Sequence, residues 1–386
     1  MRVGILTLPM GNNYGGILQA YALQQTLVRL GHEVWLLDRG WAERWSLYEW
    51  VSFAVYQTMS LSGRKRITKQ ECERRTGPEL HRFVVQHFPN RVWVNAHSHD
   101  LGASTIRDLN LDAIVVGSDQ IWRREYARRI GFCYLDFARN WNIRRVAYAA
   151  SFGQDGWRYS KAETEECSAL ARMFDAVSVR EEGAVALCRE HLDVKAELMP
   201  DPTLLLTADE YRSLSANAPS GTSGNIEISG TPEPSETIGA VSYFLGWNDE
   251  VGGLVDTVVR MMKMPHVQLC KSIYFGTDPS KVTVLGSVEQ WLGCLASAHC
   301  VLTDSFHGTV FAIINHKPFV TLANKSGGVS RIRTLLSHFG LADHLVASAD
   351  EALSVLRKPV DWASVDSILA ADRKRATEFL NGSLNR

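Results

Sequence analysis

A histidine between two predicted elements is the residue in this sequence best suited to chemistry. His307 follows an apolar run at 300–302, typical of a buried strand, and precedes a segment with helical periodicity. The first turn of a helix directs unpaired amides and the positive end of the helix dipole toward one point, and an imidazole there can transfer protons near neutral pH. We therefore predict an anion site, with His307 and Asp304 as catalytic candidates and Ser305, Gly308 and Thr309 as ligands.

A second junction of the same kind lies near the N-terminus. Residues 2–8 predict a buried strand, residues 9–16 a polar, glycine-rich turn, and residues 17–30 a helix. The turn lacks the GxGxxG spacing of dinucleotide-binding folds. Its glycines either let a ligand approach the backbone or only permit tight packing of the helix on the strand. The candidate binding residues here are Asn13, Tyr14, Gly15 and Gly16.

Polar residues also follow further predicted strands, at 111–116, 145–150 and 176–181. Ligands of open α/β sheets bind beyond the carboxyl ends of the strands, which makes Asp119, Gln120 and Arg180 binding candidates. Arg180 could hold a planar anion, or pair with a neighbouring glutamate, and Asp119 could cap a turn.

The second half of the chain repeats the pattern. We predict strands at 238–245, 266–269, 282–285, 300–302 and 319–322, and a polar loop at 324–331. Lys325 and Arg331 in that loop are either phosphate ligands or solvated side chains. A chain of 386 residues is too long for one ordinary core.

We therefore predict an α/β protein with two Rossmann-like domains and a cleft between them. The first domain spans 1–212 and the second 238–345, separated by a linker at 213–237 that is rich in Ala, Ser, Gly, Pro and Thr. Residues 346–386 form helices that pack back on the first domain.

Composition excludes several classes of function. A net charge of −1 gives no general attraction to nucleic acid, and 45% hydrophobic residues are typical of a globular protein. The seven cysteines show no CxxC pair, and HExxH and DxD are absent, so neither disulfides nor a metal site is predicted. No stretch resembles a signal peptide or a membrane span, which predicts a cytoplasmic protein.

One stretch leaves two interpretations open. Residues 41–56 are rich in aromatics and are followed by a basic cluster at 64–66. These residues form either a packed helix with a solvated loop or a surface that contacts the inner face of the membrane near a lipid-linked substrate. The sequence makes no prediction about oligomeric state.

Five blocks of sequence occur in an order that resembles the polysaccharide pyruvyl transferase family. The resemblance extends from about residue 3 to about residue 340. Its blocks are NYGGILQAYAL at 13–23, VGSDQIW at 116–122, SVRE at 178–181, DPTLL at 201–205 and TDSFHGT at 303–309.

The resemblance implies a fold similar to the two-domain GT-B glycosyltransferases. It also implies transfer of a pyruvyl group from phosphoenolpyruvate to hydroxyls of a sugar, giving a ketal and phosphate. The acceptor would be a sugar, an oligosaccharide or a lipid-linked precursor of a cell-surface polysaccharide, and no further cofactor is implied. By the same resemblance, His307 matches the family's functional histidine and Arg180 the arginine that holds the anionic donor.

The chain departs from the family at Ser305, where better-studied members resemble one another in having arginine. Arg331 or Lys325 would then have to supply the missing charge. Two alternatives remain open: a GT-B-type glycosyltransferase that uses a nucleotide sugar, and a non-catalytic sugar-binding protein of the same fold.

Overall fold

The computed structural model describes residues 1–39, 69–94, 99–216, 238–270, 284–323 and 329–385. The aromatic stretch 41–56, the basic cluster 64–66, most of the linker and the loop residues 324–328 with Lys325 lie outside the described residues. The described residues form two α/β units, each built on a parallel sheet, which confirms the predicted fold class and its likeness to GT-B folds.

The first unit has seven strands in the order β3-β2-β1-β4-β5-β6-β7, all paired in parallel. Its helices connect the strands, as parallel pairing requires. Its elements are β1 (Arg2–Leu6), α1 (Tyr14–Arg29), β2 (Glu33–Asp38), α2 (Lys69–Thr76), α3 (Pro78–His87), β3 (Arg91–Trp93), α4 (His99–Arg107), β4 (Ala113–Gly117), β5 (Arg144–Ala150), α5 (Lys161–Ala171), β6 (Ala176–Val179), α6 (Glu182–Leu187), β7 (Glu197–Leu198) and α7 (Ala208–Ser215).

The second unit has five parallel strands in the order β12-β11-β10-β8-β9. Its central strand, β10, leads directly into the helix that carries His307. Its elements, with the two helices that follow, are β8 (Ala240–Tyr243), α8 (Asp249–Met262), β9 (His266–Cys270), α9 (Val288–Ser297), β10 (Cys300–Thr303), α10 (Phe306–Ile314), β11 (Phe319–Leu322), α11 (Val329–His338), β12 (Leu345–Val346), α12 (Ala349–Leu356) and α13 (Trp362–Leu384).

The predicted strand at 282–285 is wrong in its described part. Residues 284–287 are not in a strand. The amide of Leu285 donates instead to the carbonyl of Thr76 in the first unit, at 2.7 Å. This segment therefore joins the two units rather than extending a sheet.

Aromatic packing and polar contacts connect the two units. The Tyr14 ring at the start of α1 stacks on Trp291 of α9, with centroids 5.2 Å apart, and its hydroxyl donates to the carbonyl of Gly286 at 2.8 Å. Beside this contact, Arg82 of α3 forms an ion pair of 2.6 Å with the buried Glu289 of α9.

The last helix, α13, returns to the first unit. The Arg373 guanidinium donates to the carbonyls of Leu204 and Leu206, each at 3.0 Å. Phe379 packs near Tyr148 of β5, with ring centroids 6.1 Å apart. Among the described residues, no helix is long and apolar enough to cross a membrane.

Candidate active site

Two helix starts, one from each unit, meet at the centre of the site. Both follow the carboxyl end of an interior strand of their sheet, and both are capped by a side chain. Asn13 Oδ1 accepts a hydrogen bond from the Gly16 amide at 3.1 Å, and Ser305 Oγ accepts one from the Gly308 amide at 3.3 Å. Such caps satisfy amides that the helix leaves unpaired.

The two starts touch where the imidazole of His307 packs on the backbone of Gly15. A methyl group at position 15 would lie only 2.0 Å from His307 Nδ1, so a side chain there would displace the ring. The positive ends of α1 and α10 therefore converge on the same buried histidine, and an anion is favoured beside it.

Beneath His307 lies a buried ionic cluster centred on Arg180. The guanidinium donates to Asp201 Oδ2 at 2.5 Å and to Asp119 Oδ1 at 2.8 Å. Its Nε atom is 4.0 Å from Glu181 Oε2. The predicted alternative of an ion pair therefore holds for Arg180, with two aspartates as its closest partners and the neighbouring glutamate more distant.

Asp201 connects this cluster to the histidine. Its Oδ1 accepts hydrogen bonds from the Thr203 amide at 3.0 Å and the Thr203 hydroxyl at 2.7 Å. The same oxygen is 3.8 Å from His307 Nε2, which is within ion-pair range and too long for a hydrogen bond. The Nε2 atom is buried and has no hydrogen-bond partner in the part of the chain that the structure describes.

The carboxylates of the cluster differ in their tendency to ionise. Burial alone would raise the pKa of Asp201, yet His307 and Arg180 hold it well below its usual range. Burial likewise opposes the charge of Asp119, whose pKa Arg180 and His307 nevertheless lower. Burial raises the pKa of Glu181. Asp119 and Asp201 are therefore ionised around Arg180, while Glu181 carries its charge less readily.

A second arginine lies near the same aromatic ring as Arg180. The Arg180 and Arg331 guanidinium carbons are 4.7 and 6.0 Å from the centroid of the Phe306 ring. Burial and then Arg180 lower the pKa of Arg331, while Asp119 and Tyr126 act in the opposite direction. An arginine nevertheless stays charged in proteins. The Arg331 Nε atom is buried and has no hydrogen-bond partner among the described residues.

Several predicted site residues have structural positions instead. Both Asp304 oxygens accept backbone hydrogen bonds, from Leu245 at 2.7 Å and Gly246 at 3.0 Å, so the carboxylate fixes the turn after β8. The Thr309 hydroxyl lies 2.7 Å from that of Thr321 within the second unit.

Tyr14 and Gln120 also have partners other than the histidine. Tyr14 is buried between the two units, as described above, and Gln120 Oε1 accepts from Arg123 at 2.8 Å. Ser305 and Asn13 cap their helices, and Gly308 packs closely on Thr303, whose hydroxyl would lie 2.4 Å from a methyl group at position 308. These residues shape the backbone around His307.

The structure adds residues that the sequence did not single out. Asp201, Phe306 and Glu181 belong to the cluster, although each lies within a block of the family resemblance. The only local signal was for Asp201, since Asp-Pro-Thr after a short strand is typical of a capped turn. Among the described residues, no group of three or more His, Cys, Asp or Glu side chains is placed to hold a metal ion.

A cleft of about 350 Å³ opens beside the start of α1. It lies beyond the carboxyl ends of β1 and β4, where ligands of parallel α/β sheets bind. Its lining consists of Leu8, Pro9, Gly11, Asn13, Gly16, Asp119, Glu125 and Tyr126.

The fold and site define a class: a two-unit α/β protein of GT-B-like architecture with a buried histidine between the units. A family model for polysaccharide pyruvyl transferase matches residues 13–326, and the chain belongs to that family. A search of curated proteins found no match.

Solved structures share the fold at low sequence identity. A putative UDP-N-acetylglucosamine 2-epimerase from Listeria monocytogenes is 11% identical with a TM-score of 0.52, and the match covers 98% of this chain and 94% of that one. The UDP-GlcNAc 2-epimerase from Neisseria meningitidis bound to UDP-GlcNAc is 10% identical with a TM-score of 0.50, covering 98% and 99%. At these identities the likeness concerns the fold alone.

Proposed function

We propose that this protein transfers a pyruvyl group from phosphoenolpyruvate to two hydroxyls of a sugar in a cell-surface polysaccharide or its precursor, forming a pyruvate ketal. The observation that carries the proposal is the His307 imidazole. It is buried where two helix starts meet, its Nε2 atom has no hydrogen-bond partner among the described residues, and the ionised Asp201 lies 3.8 Å away. Family membership supplies the reaction class.

The donor needs two separate anion sites, because phosphoenolpyruvate carries a carboxylate and a phosphate. Arg331 and the amides at the starts of α1 and α10 are the groups that support this assignment. Both terminal nitrogens of Arg180 already donate to aspartates. Arg180 therefore acts through the cluster, and Arg331 supplies the charge that Ser305 lacks relative to other family members.

In the proposed reaction, His307 is the general acid and base. Its imidazolium, stabilised by Asp201, gives a proton to the methylene carbon of phosphoenolpyruvate, which becomes a methyl group. The first sugar hydroxyl attacks the adjacent carbon and returns its proton to His307. The second hydroxyl then displaces phosphate from that carbon, and its proton leaves with the phosphate. One C–H bond and two C–O bonds to the sugar form, while the C=C π bond and the C–O bond to phosphate break. One hydroxyl proton goes to His307 and the other to phosphate, and no metal or redox step is needed.

A substrate survey tests the donor. We expect phosphoenolpyruvate to raise the melting temperature of the full chain in a thermal-shift titration, and UDP-N-acetylglucosamine to leave it unchanged. With phosphoenolpyruvate and a panel of methyl glycosides, inorganic phosphate should appear together with a product whose mass shows an added pyruvate ketal. Stabilisation by the nucleotide sugar but not by phosphoenolpyruvate would contradict the proposal.

The role of His307 is tested by His307→Asn. General acid–base catalysis contributes about 10²- to 10⁴-fold, so phosphate release should fall by that factor. His316→Asn is the matched control, because His316 directly follows the last turn of the same helix and pairs with Asp366 away from the cluster. Equal activity in the two variants would remove the role assigned to His307.

A further inference from the structure

The cleft beside the start of α1 contains a half-exposed aromatic ring. Tyr126 is 50% exposed although it is a large side chain. The Arg123 guanidinium covers part of it, 4.6 Å from the ring centroid, and donates to the Tyr126 hydroxyl at 3.3 Å. Arg123 also donates to Gln120 at 2.8 Å. The ring is thus held from one side by a braced arginine.

The polar groups in this cleft favour a neutral ligand rich in hydroxyls. Asp119 and Glu125 are carboxylates, and none of the described residues that line the cleft is a lysine or an arginine. A phosphate or a nucleotide would lie against these two carboxylates, although Arg180 pairs with Asp119 and Arg123 with Glu125. Asn13 is exposed, and because its Oδ1 caps α1, its amide nitrogen is the polar atom left to face a ligand.

Glu125 is fixed in place rather than free to swing. Gln154 donates to both of its oxygens, at 3.3 and 3.4 Å, and Arg123 Nε donates to Oε2 at 3.4 Å. A carboxylate held beside an exposed aromatic ring combines an acceptor for hydroxyls with a flat apolar surface for the C–H face of a sugar ring. The cleft volume of about 350 Å³ is within the range of small-molecule sites.

The cleft also adjoins the ionic cluster. Asp119 lines the cleft and binds Arg180. Gly16 lines it too, and its neighbour Gly15 contacts the His307 ring. Tyr126 also lies within electrostatic range of Arg331. A ligand in the cleft would therefore lie next to the proposed donor site.

We propose that this cleft binds the acceptor saccharide, with Tyr126 as the platform under a sugar ring and with Glu125 and Asn13 as hydroxyl partners. This assignment rests on the proposed function, because it takes a sugar as the second substrate. It places the acceptor on the first unit and the donor between the units, with Asp119 between them.

Saturation-transfer NMR on the full chain tests the assignment. The probes are the methyl glycosides of glucose, galactose, mannose and N-acetylglucosamine, measured with phosphoenolpyruvate present, and UMP is measured separately. We expect signals from the ring protons of at least one glycoside. Tyr126→Ala should weaken its binding about tenfold, whereas Tyr126→Phe should keep most of it.

Trp93→Ala is the matched control. Trp93 is 39% exposed on the edge strand β3 of the same sheet, so this variant removes an exposed ring outside the cleft and should bind like the unaltered protein. Tyr126 lies in a short surface turn, and the melting temperature of each variant shows that it is folded.

The outcomes separate this inference from the proposed function. Sugar signals that depend on Tyr126, in a protein that phosphoenolpyruvate does not stabilise, would support the assignment of the cleft to the acceptor. They would contradict phosphoenolpyruvate as the donor. Stabilisation by phosphoenolpyruvate with no glycoside signal, or with signals unchanged in Tyr126→Ala, would overturn the cleft assignment and support the donor. Binding of UMP alone in the cleft would also overturn it.

Discussion

The two helix starts at the centre of the molecule match position by position. Asn13 and Ser305 cap α1 and α10, an aromatic residue follows each cap, and glycine stands three residues after each cap. They differ at the second helical position, where α1 has Gly15 and α10 has His307. One start therefore supplies the imidazole and the other supplies the space for it.

The difference shows how the two halves divide the chemistry. Each cap already satisfies one amide of its own helix, so neither start needs the other for local stability. The contact between Gly15 and His307 exists only when both units are assembled. In the proposed reaction, catalysis therefore depends on both starts, although only one of them carries a titratable group.

The largest effect on stability should come from replacing Asp201, whose carboxylate lies beside His307 at the start of α10. Asp201→Asn leaves Arg180 without one of its two closest charge partners, and breaking a buried pair costs about 3–5 kcal/mol. Urea denaturation at pH 7 measures this loss. Asp343→Asn is the control, because its pair with Lys358 is exposed and should change stability by under about 1 kcal/mol. Equal losses would contradict the importance of the cluster.

The same pair predicts a dependence of stability on pH. The folded-state pKa of Asp201 lies below its unfolded value, so its contribution is present above about pH 4 and is lost as pH falls toward the folded pKa. Stability of the Asp201→Asn variant should decline less between pH 4 and pH 2 than that of the unaltered protein, as measured by denaturation across that range.

Filling the space at the other start should abolish turnover without unfolding the protein. In Gly15→Ala, the new methyl group would displace the imidazole, so phosphate release should fall about 100-fold or more. Alanine is the better helix former by about 1 kcal/mol, so the loss is not expected from the backbone.

Gly183→Ala is the matched control for that variant. Gly183 occupies the same second position of α6, and a methyl group there meets nothing within 4 Å. Full activity in Gly15→Ala would show that catalysis does not require the imidazole to pack on the backbone of α1 at Gly15.

Much of this comparison could be predicted from the sequence. The alternation of apolar runs and polar turns predicted both junctions, because a buried strand and a capped helix leave strong local patterns. It did not predict which side chains face one another. Arg180 and Asp119 are 61 residues apart, and no local pattern records that pairing.

The partners of two predicted site residues could not be predicted for the same reason. Asp304 and Tyr14 stand at the junctions as expected from their sequence positions, yet one side chain binds amides after β8 and the other stacks on Trp291. Those partners lie in distant parts of the chain. Only the packed structure decides which polar side chain at a strand end faces the ligand.

A smaller effect should follow from Arg331, which stands next to the histidine start. Arg331→Met removes a charged ligand worth about 1.5–3 kcal/mol, so phosphoenolpyruvate should bind about tenfold or more weakly in calorimetric titration. Arg333→Met is the control, because Arg333 is exposed on the same helix, α11. An unchanged affinity of Arg331→Met for phosphoenolpyruvate would contradict the proposal that Arg331 binds this donor substrate.

The smallest effects should be those of the caps themselves. Asn13→Ala and Ser305→Ala each remove one side-chain cap, and each should cost about 1 kcal/mol of the free energy of unfolding. Urea denaturation of both variants measures whether the two starts are equivalent. A difference of more than about 1 kcal/mol between them would contradict that equivalence.

The return of α13 to the first unit bears on the order in which the protein can fold during synthesis. The short turn Pro202–Leu205 directly follows Asp201, and two carbonyls at its end, of Leu204 and Leu206, bind Arg373. A ribosome that has released only the first unit has not yet made the residue that holds this turn. The carboxylate beside His307 therefore gains its final support only after α13 has been translated.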